Sequence, residues 1–188
     1  IGANGVLKLG SAGNATFFPQ PVSGANVTMA SNAAVVYQSG AASQSVNIDV
    51  TYQRLFLQAP GSTGPVDKAI ASGTIKVQES LQIDDNATNT VRLLLGPEVL
   101  DVDGDINGDG EIFVTSGSIF VGGNFSATMG FTLGGVGSTV TYDGTGAQSV
   151  LGATYDNLVV NKASDTATIG GPIMLNRDLT ITNGTLDD

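Results

Sequence analysis

An internal repeat with a period of about 104 residues is the feature that most constrains how this chain can fold. Several short blocks of residues occur twice, in the same order, in a first and a second copy. Each block of the first copy matches one of the second: Val27 and Met29 match Phe131 and Leu133; Tyr37 matches Tyr142; Gln44-Ser45-Val46 matches Gln148-Ser149-Val150; Tyr52 matches Tyr155; Leu55-Phe56-Leu57 matches Leu158-Val159-Val160; Gly73-Thr74-Ile75-Lys76-Val77 matches Gly171-Pro172-Ile173-Met174-Leu175; and Leu81 and Ile83 match Leu179 and Ile181. Self-similarity of this kind is the signature of repeat architectures.

The repeat divides the chain into one full unit and two partial ones. Residues 1–26 match the stretch that begins at Ile106 and are predicted to end a preceding unit. Residues 27–130 form one full unit, and residues 131–188 open the next. Because the pattern is already under way at Ile1, we expect the chain to be an excerpt from a longer protein.

A shorter period lies inside the unit and predicts an all-β solenoid. An apolar-x-apolar pair with a third apolar residue four positions further on occurs at Ile75-Val77-Leu81, Leu100-Val102-Ile106, Ile119-Val121-Phe125 and Ile173-Leu175-Leu179. Successive occurrences are separated by 25 residues and then 19, which is typical of β-solenoid coils. Alternating apolar residues indicate half-buried strands. Tandem β-sandwich modules of about 100 residues are the alternative fold.

Composition excludes several classes of function. The net charge is −10, with 7 Lys+Arg against 17 Asp+Glu, which argues against nucleic acid and anionic membranes as partners. There is no Cys and no His, so a Ser-His-Asp triad, a thiolate site and a typical zinc site are excluded. No apolar run is long enough to insert into a membrane.

Two stretches of the second unit resemble a known group of surface proteins. They are the residues from Thr139 to Val160, which contain Tyr142-Asp143-Gly144-Thr145-Gly146-Ala147-Gln148, and Arg177 to Leu186. They are similar to tandem-repeat regions of giant secreted surface proteins of Bacteroidota and related bacteria, including gliding-type adhesins. The resemblance implies export to the cell surface, tandem arrays and a passive or adhesive role. It implies no catalytic residues, because the motif of that group carries none.

An acidic stretch is a candidate Ca²⁺ site. Its oxygen-bearing residues are Asp101, Asp103, Asp105, Asn107, Asp109 and Glu111. From Asp105 the order is that of the first part of an EF-hand loop. Ser116, however, occupies the twelfth position, where a bidentate acid belongs, and the aligned residues 1–5 lack the acids. A Ca²⁺ site that stiffens the structure and a plain polar turn both remain open.

A polysaccharide-active β-helix enzyme is a further alternative, and the sequence argues against it. Its carboxylate pair would be Asp84 with Asp85, or Asp103 with Glu111. Such sites also need a converging basic residue, and the arginines lie outside the acidic clusters. The recurrence of tyrosines at equivalent positions is better explained by packing than by contact with a sugar.

The sequence therefore predicts a non-catalytic, extracellular structural or adhesive repeat segment of a large bacterial surface protein or filament. Its expected partners are neighbouring repeats or identical subunits stacked head to tail, with glycans or surfaces as further candidates. A surface-glycan-binding module is the alternative function, followed by the polysaccharide-active enzyme. Ca²⁺ is the one cofactor under consideration.

Overall fold

The chain folds as a β-solenoid of about seven turns. The computed structural model describes residues 1–18, 27–70, 72–83, 91–126, 130–133 and 136–188. Within these ranges every regular element is a strand, and all strand-to-strand pairings are parallel. The predicted all-β solenoid is confirmed, and the sandwich alternative is wrong, since the sheets of immunoglobulin-type sandwiches are antiparallel.

The described part of the chain contains eighteen strands. In order they are β1 (Val6–Leu9), β2 (Ala34–Tyr37), β3 (Gln44–Val46), β4 (Thr51–Leu57), β5 (Val66–Ile70), β6 (Thr74–Ile83), β7 (Val91–Leu95), β8 (Val99–Val102), β9 (Asp105–Gly108), β10 (Glu111–Val114), β11 (Ser118–Val121), β12 (Gly130–Leu133), β13 (Thr139–Tyr142), β14 (Gln148–Val150), β15 (Thr154–Tyr155), β16 (Asn157–Ile169), β17 (Met174–Leu175) and β18 (Leu179–Asp187).

The strands stack on three faces of the coil. The first face contains residues 51–52, 74–77, 99–102, 118–121, 139–142, 157–160 and 179–181. The second face contains residues 6–9, 34–37, 54–57, 80–83 and 105–108. The third face is the five-stranded sheet of β3, β5, β7, β10 and β12. Strands β15 and β17 pair with each other, and β15 contacts β12.

Strand β6 turns the corner between the first and second faces. Its first half pairs with β8 and its second half with β9, so the two shorter strands meet at a sharp bend. Gly104 lies at that bend, where an added Cβ would collide with the carbonyl of Glu79. Two coils further on, Gly144 occupies the same corner against the carbonyl of Gly122. Glycine is needed at such corners because the backbones of stacked coils approach too closely for a side chain.

The core is built from columns of identical inward positions on successive coils. Ile75, Leu100, Ile119, Val140 and Leu158 follow one another in register on the first face, and all are fully buried. Each such side chain contributes about 1.5–3 kcal/mol when removed from water. The coil steps of 25 and 19 residues seen in the sequence are therefore confirmed as steps between stacked strands.

The two copies of the repeat lie on different faces. In the first copy, β2 pairs with residues 54–57 on the second face. In the second copy, the equivalent β13 pairs with residues 157–160 on the first face. The repeat period therefore does not equal a whole number of turns, and equivalent side chains of the two copies point in different directions around the axis.

Candidate functional site

The predicted Ca²⁺ stretch runs from the end of the first face, along the second face, to the start of the third face of one coil. Asp101 lies in β8, Asp105 and Asn107 lie in β9, and Glu111 opens β10. Asp103 and Asp109 lie at the bends between these strands. The backbone is thus mostly extended and follows the perimeter of the coil, whereas an EF-hand loop closes around a single ion.

A lysine occupies the centre of the acidic cluster. The Lys76 ammonium donates to the carboxylate of Asp101 at 2.8 Å and also to that of Asp103. Burial, together with the negative charge of Asp101, raises the pKa of the nearby Asp143 carboxyl. Asp101, Asp103 and Asp143 therefore lie near one cation at this corner, and Lys76 offsets part of their negative charge.

Other members of the stretch join adjacent coils. The Asp105 carboxylate accepts the backbone N–H of Asn124 at 2.7 Å. The Glu111 carboxylate accepts the Thr132 hydroxyl at 2.9 Å. The described residues contain no group of three His, Cys, Asp or Glu side chains arranged to hold a metal. The predicted residues do not converge on one ion, and the Ca²⁺ site stays a prediction.

The two carboxylate pairs that a glycoside-cleaving enzyme would use do not form a common site among the described residues. Asp84 and Asp85 lie outside the described residues. Asp103 is held by Lys76 at the corner after β8, whereas Glu111 pairs with Thr132 at the start of the third face. These two carboxylates serve separate contacts. The expectation that the chain is not an enzyme stays a prediction.

The recurring tyrosines form a buried hydrogen-bonded pair in each copy. All four tyrosine side chains are fully buried, which confirms that they belong to the core. In the first copy, Tyr37 accepts the backbone N–H of Asn47, and Tyr52 donates to the carbonyl of the same Asn47. The pair thus satisfies both backbone groups of one residue just after strand β3.

A second buried network recurs beside it. The Gln44 side chain accepts the backbone N–H of Ser39 and donates to two carbonyls of the preceding coil. Gln148 makes the same set of contacts in the second copy, with Gly144 as the donor. The recurring Gln is therefore a structural residue that joins two coils.

Each of these glutamines also accepts a buried lysine. Lys68 donates to Gln44 at 2.7 Å, and Lys162 donates to Gln148 at 2.7 Å. Both lysine side chains are fully buried, and their other hydrogen-bond acceptors are backbone carbonyls. Burial lowers the pKa of Lys68 to about 8 and also lowers the pKa of Lys162.

Sequence comparison missed these lysines because they do not occupy equivalent places in the two copies. A signal was nevertheless present, since each lysine stands at an inward position of an alternating strand. Lys68 lies between Val66 and Ile70, and Lys162 follows Leu158 and Val160 at the same spacing. A charged residue in the apolar phase of a strand indicates a buried polar contact.

The last coil carries an exposed apolar surface. Leu179 and Ile181 are 42% and 49% exposed. Their equivalents in the first copy, Leu81 and Ile83, are completely buried, because β9 covers them.

The described residues contain no helix with the length and apolar character needed to cross a bilayer.

Comparison with known proteins gives no relative from which a function can be transferred. No protein-family model, curated protein or solved structure matches the chain.

Proposed function

We propose that this chain is a non-catalytic structural or adhesive segment of an extracellular protein on a bacterial cell surface. In this proposal, neighbouring repeats or identical subunits stack on its coils head to tail and extend the solenoid into a rod. The observation that carries the proposal is the stacking of coils in register, in which each coil covers the apolar residues of the coil before it. Leu179 and Ile181 of the last described coil present the same kind of apolar residues.

The first copy indicates what kind of surface fits this coil. Leu81 is covered by Ile106 of the next coil, which pairs with it in register and is itself fully buried. A coil with the same alternation of apolar residues would cover Leu179 and Ile181 in the same way. It would also pair the open edge of β18, and unpaired edges of this kind otherwise promote aggregation.

The sequence supports a location outside the cell. The motifs around Tyr142 and Leu179 resemble those of exported Bacteroidota surface repeats. Ca²⁺ is proposed only as a stiffening ion, bound weakly by the acidic residues of the 101–111 stretch. In that role it would offset repulsion between the carboxylates, and folding would not depend on it.

Stacking is tested by sedimentation of the chain over a range of concentrations. The wild type is expected to associate progressively, and the variant Leu179→Lys/Ile181→Lys is expected to stay monomeric. Thr180→Lys is the matched control because Thr180 lies between these residues on the outward side of the same strand. A monomeric wild type at all concentrations, or equal loss of association in the control, would contradict the stacking proposal.

The surface location needs a separate experiment. Intact cells of the source bacterium are labelled with an antibody raised against the chain and are treated in parallel with an external protease. Labelling of intact cells and loss of the signal after protease treatment are expected. A signal that appears only after lysis would overturn the extracellular part of the proposal.

A further inference from the structure

Two cations of this acidic protein have no carboxylate partner among the described residues, and they line the same groove. The other five of its seven Lys and Arg side chains are engaged: Lys76 with Asp101 and Asp103, Arg92 with Asp67, Arg177 with Asp156, and Lys68 and Lys162 buried on neutral acceptors. Within the described part of the chain, Lys8 and Arg54 pair with no acid.

The groove lies on the outer side of the second face, across three stacked strands. Lys8 of β1, Val36 of β2 and Phe56 of β4 follow one another in register. Ala34 is the register partner of Arg54 in the neighbouring row. The small side chains of β2 form the floor, the larger ones of β1 and β4 form the walls, and Lys8 is exposed.

The Arg54 side chain on the β4 wall is held in place by an aromatic ring. The Arg54 guanidinium lies 5.0 Å from the centre of the Phe56 ring, a cation–π geometry that limits the freedom of the side chain. Lys8 lies two strands away from Arg54 and two residues further along the strand direction, which places their backbones about 12 Å apart. The groove therefore presents two separate positive charges beside an apolar strip.

This combination selects a ligand with repeated negative charges and an apolar side. A carboxylated sugar has both, because its carboxylate can pair with Lys8 or Arg54 while the C–H side of its ring packs on Phe56 and Val36. The two cations lie on opposite walls of the groove, so a ligand that carries several carboxylates can contact both of them. The groove is shallow and runs across the face, so a linear chain can enter it without a closed pocket.

An acidic peptide fits less well. Extended peptides are usually held by backbone hydrogen bonds to a free sheet edge. The backbone groups of β2, which forms the floor, are already paired with β1 and β4 on both sides. Only side chains are therefore available, and they match the carboxylates and ring surfaces of a sugar polymer.

We propose that the groove formed by Val6, Lys8, Ala34, Val36, Arg54 and Phe56 binds an acidic polysaccharide through the carboxylates of its uronic-acid units. Lys8 and Arg54 bind the carboxylates, and Phe56 packs against a sugar ring. This site lies on the side of the rod and does not depend on head-to-tail stacking. Its failure would therefore leave the proposed structural role intact.

The test uses short galacturonate oligomers and calorimetric titration at about 0.15 M salt, where screening over about 8 Å reduces repulsion by the net negative charge. The methyl-esterified oligomer, which has no charge, is the neutral control. Short polyglutamate is the acidic-peptide control. Binding of the galacturonate oligomer alone, or at least tenfold more tightly than both controls, is the expected result.

Variants locate the binding on the groove. Lys8→Gln/Arg54→Gln is expected to weaken galacturonate binding about tenfold or more, since each charge-assisted contact is lost. The matched control Arg92→Gln/Arg177→Gln removes two cations elsewhere and is expected to bind like the wild type. Circular dichroism verifies that both variants keep their β-structure.

Phe56→Ala distinguishes ring packing from simple charge attraction. It is expected to weaken galacturonate binding severalfold while leaving any residual polyglutamate binding unchanged. The proposal is overturned if the wild type does not bind galacturonate, if the Arg92/Arg177 control loses as much affinity as the groove variant, or if polyglutamate binds as tightly as the sugar.

Discussion

The hydroxyl oxygens of Tyr37 and Tyr52 lie 3.0 Å apart in the core, and together they bond the N–H and the carbonyl of a single turn residue. The second copy repeats the arrangement, with Tyr142 and Tyr155 bonding both backbone groups of Leu151. Each pair thus bonds both backbone groups of a residue just after a strand, which explains why tyrosine and not phenylalanine recurs at these positions.

Removing one hydroxyl of the pair should destabilise the fold by a similar amount in either copy. Tyr52→Phe leaves the Asn47 carbonyl without its donor, and Tyr155→Phe does the same to Leu151. We expect each variant to lower the free energy of unfolding by about 1–2 kcal/mol, the usual cost of a buried unsatisfied group. Urea unfolding measures it. A negligible effect in both variants would mean that water takes over the hydroxyl's place.

Lys68 should make stability depend on alkaline pH. Burial lowers its folded-state pKa to about 8, below the ordinary value of 10.5. At Lys68 the unfolded state therefore binds more protons between these values, so the contribution of this residue makes stability rise as pH increases from about 8 to 10.5. Lys68→Met should reduce this rise without abolishing it, because the pKa of Lys162 is also lowered. Thermal unfolding of both proteins across this range measures the difference, and Arg92→Gln is the control, expected to keep the wild-type slope.

Equivalent leucines of the two copies should differ in their contribution to stability. Leu81→Ala removes a fully buried side chain and should cost about 2–5 kcal/mol. Leu179→Ala alters a side chain that is 42% exposed and should cost well under half as much in dilute solution. Chemical unfolding at low protein concentration measures both. Equal costs would show that the last coil is covered even in dilute solution.

Lys76 should determine whether Ca²⁺ affects stability. In the wild type we expect EDTA to leave the β-structure intact, because Lys76 already pairs with Asp101 and Asp103. Lys76→Gln should lower stability by about 1 kcal/mol or less, as expected for a partly exposed ion pair. With the cation gone, added Ca²⁺ should restore some of that loss.

Differential scanning calorimetry with Ca²⁺ and with EDTA measures the effect on both proteins. Complete unfolding of the wild type in EDTA would contradict the expectation that the β-structure does not depend on a metal. It would instead support a bound Ca²⁺ ion as a requirement for folding.

The solenoid was predictable because its strongest signal is local and periodic. Apolar spacing identified Ile75, Leu100 and Ile119 as residues of successive coils, and the structure pairs them in register. The acidic stretch was harder, since a run of Asp and Asn residues has the same local order in a loop and along a coil. Only the path of the backbone, which brings Lys76 against Asp101, distinguishes the two.

The face of the solenoid on which each copy lies could not be predicted by comparing the two copies in sequence. Aligning Tyr37 with Tyr142 establishes that the residues are equivalent, and it carries no information on the angle between them. That angle depends on how many residues each corner and loop consumes along the chain. The groove at Lys8 and Arg54 was missed for a similar reason, because its walls come from strands far apart in sequence.

The rotation between the two copies has a consequence for the surface of the solenoid. Equivalent outward residues of the repeat, such as those of β2 and β13, lie on different sides of the molecule. A ligand that recognises those residues would meet the two copies from two different directions.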